Sequence, residues 1–446
     1  MTAPARPSST SEVALWSWMR AYRTEILIFV VSLFALACFS GPRFLRQSAA
    51  PHFIYQARAF LEGRLDVDPQ VLPNLEDWAC VREVGGVKRR CSGPPLPTDR
   101  WYVSFPAFPA VVMLPFVAVN GYQLNDTSFG VILGALAITL FFVMARSLVR
   151  RGELHRTEQE ALVLAAVLGF GTLFFSCAIR GEVWFLAEVM GVALTCLYVQ
   201  AATGAARPLV AGAAWSMATL TRTPLVFTGL YFLLEVLTPG PAGRLEQLRQ
   251  ALRQPRGWVR PVLLFAAGAA PLALLAMAFN VARFGSPGEF GHSFLYDNRV
   301  NADIDTHGLF SPVYLGRNLQ AAFLMLPRVQ LSPFRLGYDP RGLSMLVTMP
   351  WLALLVFPRA RPRLHWPVWL TVAVTALPGL FYQNTGYMQF GFRFSLDYTP
   401  YLVLLLGLSG WPFRKPLVQA LIAASVLVNT WGALAFRGYT ELVRRL

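Results

Sequence analysis

The chain has 446 residues, 55% of them hydrophobic and only 14% charged, with a formal net charge of +15. A soluble chain carries about a quarter charged residues, so this composition excludes an ordinary soluble globular protein. The basic excess does not call for nucleic acid, because Lys and Arg stand in short clusters between apolar runs, as they do on the cytoplasmic flank of membrane spans.

Apolar runs of about 16–22 residues recur along the chain, the length that crosses a bilayer as a helix. The expected fold class is all-α: a polytopic membrane protein with about eleven transmembrane helices and juxtamembrane helices in the first external loop. Residues 1–12 are polar and rich in Pro and Ser, the composition of a disordered tail. They lack the apolar core and cleavage site of a signal peptide. Residues 13–24 suit a short interfacial helix, completing a cytoplasmic N-terminal segment over 1–24. Arg20 and Arg23 precede the first span (25–41), which places the N-terminus inside and the 42–126 loop outside. Within that loop, 104–120 is apolar but broken by Pro106, Pro109 and Pro115, so it reads as a juxtamembrane piece rather than a crossing.

A second span (127–147) ends inside at Arg146, Arg150, Arg151 and Arg156. Spans at 161–178 and 183–203 follow, with Arg180-Gly181-Glu182 between them outside. Residues 208–237 read as two short spans meeting at Thr221-Arg222-Thr223-Pro224, and 238–260 as a basic amphipathic cytoplasmic helix. A span at 261–282 leads to a second external segment, 283–341, with a helix near 312–326. Spans at 342–357, 367–382, 398–411 and 416–435 complete the transmembrane domain (25–435), with a third external loop at 383–397 and a tail at 436–446.

With this topology every large polar segment is external, so the protein works on that side. The first loop holds His52, Glu62, Asp66, Asp68, Glu76, Asp77, Glu83 and Asp99. It also holds Cys80 and Cys91, which in an oxidising compartment are expected to form a disulfide closing 81–90. Cys38, Cys177 and Cys196 fall in apolar runs as small buried residues, and no Cys or His grouping has zinc spacing. Arg222 is conspicuous because a cation inside an apolar run is expensive.

Several segments, in order, resemble the polyprenyl-phosphate-dependent glycosyltransferases with the GT-C fold, the group of protein O-mannosyltransferases and the lipid A aminoarabinose transferase. His52-Phe53-Ile54-Tyr55-Gln56-Ala57-Arg58-Ala59-Phe60-Leu61-Glu62-Gly63 resembles their first juxtamembrane helix. Phe105-Pro106-Ala107-Phe108-Pro109-Ala110 resembles the second, ending near Asn120-Gly121. Gly391-Phe392-Arg393-Phe394-Ser395-Leu396-Asp397-Tyr398-Thr399-Pro400 resembles a late segment that enters a span. The departure is Ala50-Pro51-His52, where the family carries an Asp.

The resemblance implies transfer of a sugar from a polyprenyl-phosphate donor to a glycan, lipid or protein acceptor, with inversion, at the external face of a bacterial inner membrane. Such chemistry needs a proton acceptor for the attacking hydroxyl and cations for the departing phosphate. The candidate bases are Glu182, a carboxylate of the 62–68 cluster such as Asp66, or His52. Arg393 and Arg222 are expected on the donor phosphate, and Tyr55, Glu62 and Asp397 on acceptor or sugar. Arg393 and Asp397, four apart, could instead pair with each other. No metal and no cofactor are expected, since the lipid-linked sugar is itself a substrate and arginines can handle a monophosphate. The rival reading is a transporter or lipid flippase, for which Arg222, Glu188 and Glu235 are the mid-membrane candidates.

Overall fold

The computed structural model describes residues 22–72, 77–238, 246–247, 249, 253–254, 256–296, 301–332 and 334–443. The expected N-terminal tail, most of the 13–24 interfacial helix, most of the 238–260 amphipathic helix, and Glu76 lie outside the described residues.

Helix α1 (Arg23–Ser40) is apolar on every side and shows Leu27, Val30, Val31 and Phe34 on its outer surface, as a lipid-facing span does. It stops at Gly41, whose φ of 59° is open to glycine at no steric cost. The short α2 (His52–Leu61) buries His52, Phe53, Ile54 and Tyr55 beneath it. Three antiparallel strands follow, in the order β2-β1-β3: β1 (Trp78–Val84), β2 (Val87–Arg90) and β3 (Arg100–Val103). Gly85 and Gly86, both at positive φ, make the two-residue turn that matches strand twist in a β1–β2 hairpin. Cys80 and Cys91 are joined by a disulfide with their Cα atoms 5.4 Å apart.

The proline-broken segment forms α3 (Phe108–Asn120), an apolar helix of 13 residues, shorter than the five with spanning length. Ser104 before it bonds the first loop at Asp77, and Gln47 bonds Tyr122 and Leu124 after it, so both ends are tied to the 42–105 segment. Then come α4 (Asp126–Arg150), α5 (Glu158–Phe170) with a Thr157/Glu160 capping box, the single turn α6 (Phe174–Ala178), and α7 (Val183–Ala202). The almost wholly buried α7 is the central helix of the bundle.

Helix α8 (Pro208–Thr219) ends before Arg222, a 3-10 turn covers Thr223–Thr228, and α9 (Gly229–Leu237) completes the pair of short segments expected there. Helix α10 (Arg256–Phe284) lies across α8 with its backbone unusually close. A Cβ on Gly212 would stand 1.9 Å from Phe265 O, and one on Gly268 2.0 Å from Leu209 O. The remaining elements are α11 (Asn301–His307), α12 (Leu315–Leu319) with a π turn at Gln320–Leu324, the β4 (Arg328–Leu331)–β5 (Phe334–Gly337) hairpin, α13 (Met345–Thr348), α14 (Ala353–Val356), α15 (His365–Phe381), α16 (Thr399–Leu408) and α17 (Pro416–Val443).

The fold is thus mostly helical, but not all-α: two small antiparallel sheets decorate the loops. Among the described residues five helices have the length and apolarity to cross a bilayer, accompanied by shorter apolar helices. Two segments expected as single spans are broken. Residues 161–178 divide at Gly171 between α5 and α6. Residues 342–357 divide at Met349-Pro350, because proline removes the donor that would continue the helix.

Contacts sort the loops into two ends. At one end the short basic connections meet: Arg146 pairs with Glu25, Arg363 with Glu153 and Glu235 at 2.9 Å each, and Arg156 donates to Gly407 O and Trp411 O. At the other end the large segments meet: Ser48 bonds Asp126, Tyr296 N bonds Trp78 O, and Ser311 N bonds Phe381 O.

Candidate active site

At the second end a cavity of about 840 Å³ is enclosed by the first loop, the start of α7, the Thr221–Pro224 break, residues 288–296 and the 378–397 segment. Each wall is set by a local backbone reason. Gly181 lets the Arg180–Glu182 turn lie on the N-terminus of α4, where a Cβ would stand 2.4 Å from Thr127 N. Val183 N donates to Ala50 O at 3.0 Å, which brings the start of α7 beside the start of α2. Pro224 ends the helical run and leaves Arg222 extended at the cavity edge.

Three arginines line the cavity, and each is matched by a carboxylate. Arg222 forms a two-pronged pair with Asp397 (2.9 and 2.7 Å). Arg180 forms another with Glu182 (3.1 and 2.6 Å), its guanidinium sandwiched between Phe185 and Phe436. Arg393 donates Nη1 to Glu188 (3.1 Å) and Nε to Gly386 O (3.1 Å). Among the described residues no acceptor takes Arg222 Nη1 or Arg393 Nη2, so each paired guanidinium keeps a donor. Phe394 lies between the two, 5.6 Å from the Arg222 guanidinium carbon and 5.2 Å from that of Arg393.

An aromatic chain joins this arginine end to the first loop. Phe394 contacts Tyr382, Tyr382 contacts His292, His292 contacts Phe105, and Phe105 contacts His52, at ring-centre distances of 5.8, 6.3, 5.4 and 6.3 Å. His52 stacks flat on Trp78 at 4.2 Å. Asp77, immediately before Trp78, and Glu289, three residues before His292, add carboxylates to this wall.

Five of the residues singled out in the sequence therefore line one cavity: His52, Glu182, Arg222, Arg393 and Asp397. Tyr55, Glu62 and Asp66 do not. Tyr55 packs against Trp78 and Tyr122, Glu62 is held by Arg58 and Arg64 at the end of α2, and Asp66 faces Arg100 at 3.7 Å. Arg283 is likewise turned away, buried between Phe279 and Phe284 and bonded to Val103 O. The pairing of Arg393 with Asp397 does not form. Residues Arg393–Asp397 are a 3-10 helix, where three residues complete a turn and a residue four along points about a third of a turn away.

Arg180, Glu188, Asp77, Glu289 and His292 complete the site without having been assigned to it from sequence. Glu188 carried a signal, a lone carboxylate in an apolar run. His292 and Glu289 carried none, because a loop residue shows no period from which a facing side can be read.

Burial alone would raise the Glu182 carboxyl, but the Arg180 charge and its hydrogen bonds outweigh burial and hold it below the usual carboxylate range. Burial pushes the His292 imidazole down, against the pull of Glu289 and Asp77. Among the described residues, Cys80, Cys91 and Asp99 form the grouping close enough to share a metal ion. Its sulfurs are joined to each other and its carboxylate is bound by Arg82 at 2.7 Å.

No protein-family model matches the sequence, and no curated protein matches it. Among solved structures the chain is similar to ArnT from Cupriavidus metallidurans bound to undecaprenyl phosphate, at 14% identity and a TM-score of 0.48, covering 98% of this chain and 79% of that one. It is also similar to the Archaeoglobus fulgidus oligosaccharyltransferase tethered to an acceptor peptide, at 11% identity and a TM-score of 0.44, covering 94% of this chain and 55% of that one.

Proposed function

We propose that this chain is a membrane glycosyltransferase that moves a sugar from a polyprenyl-phosphate carrier to an acceptor hydroxyl, inverting the anomeric carbon, on the face opposite its short basic loops. The observation that carries the reading is the seat of Arg222 and Arg393: two neutralised guanidiniums across one aromatic ring, each with a spare N–H donor, in a cavity whose walls also hold carboxylates and aromatic side chains. Such donors suit a phosphate that gains charge as its bond to the sugar breaks. Their own carboxylates keep them from binding the product too tightly. Val226 and Phe227, apolar residues of the 3-10 turn, line the cavity and are partly exposed, which gives a prenyl tail a surface to follow. Tyr382, Phe394, Trp184 and Phe105 supply faces for a sugar ring.

In the reaction the acceptor oxygen attacks the anomeric carbon. The bond from that carbon to the phosphate oxygen breaks, its electron pair leaves on polyprenyl phosphate, and the hydroxyl proton passes to a basic group of the wall. No metal ion has a part in this scheme, so transfer is expected to survive EDTA.

The protein in proteoliposomes, given polyprenyl phosphates carrying radiolabelled sugars, tests the reading. Label is expected on an acceptor with release of free polyprenyl phosphate. Movement of intact carrier or free sugar across the bilayer without cleavage identifies a transporter instead, and the deep Arg393–Glu188 pair is the feature such an outcome would assign to transport.

A further inference from the structure

We infer that the β4–β5 hairpin is a membrane-surface anchor: it lies in the bilayer interface at the cavity end of the molecule, with its apolar face among lipid acyl chains and its arginine face at anionic headgroups. This holds whether or not the cavity transfers sugars.

The strand register divides the hairpin into two unlike faces. Successive side chains of a strand point to opposite sides, and residues paired across two strands share a side. Val329 pairs with Leu336, so these two share one face with Leu331, two residues along from Val329. Gln330 pairs with Arg335, and Arg328 joins them on the other face. Every residue of β4 is exposed, so the rest of the chain covers neither side of that strand. Leu331 is 82% exposed, and just before the hairpin Leu324 and Leu326 are 70% and 67% exposed.

Such a hairpin is poorly suited to water. Among the described residues β4 and β5 pair only with each other. An isolated two-stranded hairpin is at best marginally stable in water unless its apolar face is packed, and a contiguous exposed apolar patch marks a contact surface.

Level, continuity and charge select lipid as the cover. Asn318 of α12, ahead of the hairpin, donates to Leu380 O and Tyr382 O at the end of α15. Ser344 N, just before α13, donates to Met325 O and closes the hairpin base. Tyr338, just after β5, packs against Phe390 and against Trp431 of α17. The feet of the hairpin therefore sit where apolar helices end. Leu346, two residues after Ser344, is also exposed, so the open apolar surface continues from Leu324 and Leu326 into the apolar 342–357 run. Residues 323–346 carry three arginines, all exposed, and one aspartate. Asp339 takes both Arg328 (2.5 Å) and Arg341 (2.9 Å), which leaves the hairpin with a positive excess. Apolar side chains on one side and arginines on the other suit an anionic bilayer surface, where long cationic side chains reach the headgroups.

The anchor also bears on the cavity. Gln389 donates Nε2 to Arg341 O (2.7 Å) and its backbone N to Pro340 O (3.0 Å), while its Oε1 accepts from Arg393 N (2.9 Å). A hairpin seated in lipid thus buttresses the segment that carries Arg393.

The test uses the full chain in nanodiscs, with Cys38→Ser removing the exposed thiol while Cys177 and Cys196 stay buried. An NBD fluorophore is attached at Leu331→Cys or, on the opposite face, at Gln330→Cys; both positions are exposed, so neither label disturbs packing. In discs containing phosphatidylglycerol, emission at 331 is expected to shift to the blue, to lose most of its intensity to lipids carrying a shallow doxyl group, and to resist aqueous iodide. The label at 330 should be quenched by iodide and little by the doxyl lipid. Replacing phosphatidylglycerol by phosphatidylcholine should weaken the lipid quenching at 331, and Arg335→Gln should do the same in the anionic discs. Iodide quenching at 331 equal to that at 330 puts the apolar face in water and overturns the proposal. Shielding of 331 from iodide and doxyl lipid alike assigns the face to a protein partner or a second copy, and overturns it too. Lipid quenching at 331 that is indifferent to phosphatidylglycerol and to Arg335→Gln overturns the headgroup half.

Discussion

At the residue scale, the arginines explain why a cation survives in an apolar run. Arg222 stood out in the sequence because it was misplaced by composition, but its partner did not, since Asp397 is 175 residues away. The structure closes the pair at 2.7 Å in a mostly buried setting. Removing one member of a buried pair costs about 3–5 kcal/mol, whereas replacing both by apolar side chains is often neutral or stabilising. Arg222→Met alone should therefore lose both melting temperature and transfer. Arg222→Met with Asp397→Leu should keep the melting temperature and still lose transfer by about a hundred- to a thousand-fold. A double variant that transfers normally would remove Arg222 from phosphate binding. His292 offers a second residue-scale prediction. Burial lowers its pKa below the ordinary 6.5, with Arg222 acting in the same sense and Glu289 and Asp77 opposing. The folded state thus holds it neutral, and the unfolded chain binds more protons as pH falls. Its contribution to stability is complete above about pH 6.5 and is lost as pH falls through the folded value. Melting temperature should drop on acidification through this window, and His292→Gln should flatten the drop; an unchanged slope would show that His292 is not the group responsible.

At the element scale, what was legible in the sequence followed from period and from breakers. The prolines at 106, 109 and 115 fall just before, at the start and inside of one short helix, and Thr221–Pro224 marked a break between two short segments. The small sheets were missed because β1 and β2 are brief, charged and inside a long polar loop, where alternation is too short to stand out. The placing of Tyr55 and Glu62 was hidden for a related reason: they belong to the first juxtamembrane segment, yet both turn away from the cavity, while Asp77, which lines it, is brought there by the strand that follows it, a pairing one sequence does not reveal. The close crossing of α8 and α10 was also hidden, although its cause is simple. Gly212 and Gly268 each let the partner backbone in, at distances no Cβ could share. Close approach through small residues is the main resource for helix association in lipid. Gly212→Val or Gly268→Val should separate the helices and lower the melting temperature by several degrees, while Gly257→Val on the same α10, where nothing lies near, should leave it unchanged. Equal effects at all three positions would deny the crossing its role.

At the scale of the whole molecule, the loops sort by charge and size, and this arrangement was readable because it follows from the positive-inside pattern rather than from any single contact. The structure supports the sorting through the helices that join the two ends. Helix α15 begins beside the basic 359–363 stretch, where Arg359 N and Ala360 N bond Ser409 O, and finishes at Phe381, whose carbonyl accepts from Ser311 N. Its 17 residues span about 25 Å at the α-helical rise, close to the thickness of a hydrocarbon core. Val313 and Arg361 are both exposed and flank opposite ends of this helix. The proposed function takes its absolute sense from charge, with the arginine end expected in the cytoplasm and the cavity outside. A cysteine at Val313 should react with a membrane-impermeant maleimide on intact cells, and one at Arg361 only after permeabilisation. Exposed Cys38 lies within α1, so lipid shields it from the reagent. The reverse pattern would turn the molecule over and put the donor site on the cytoplasmic side. Reaction of both positions in intact cells would break the two-ended arrangement itself, and with it the separation of the cavity from the basic loops on which the transferase reading depends.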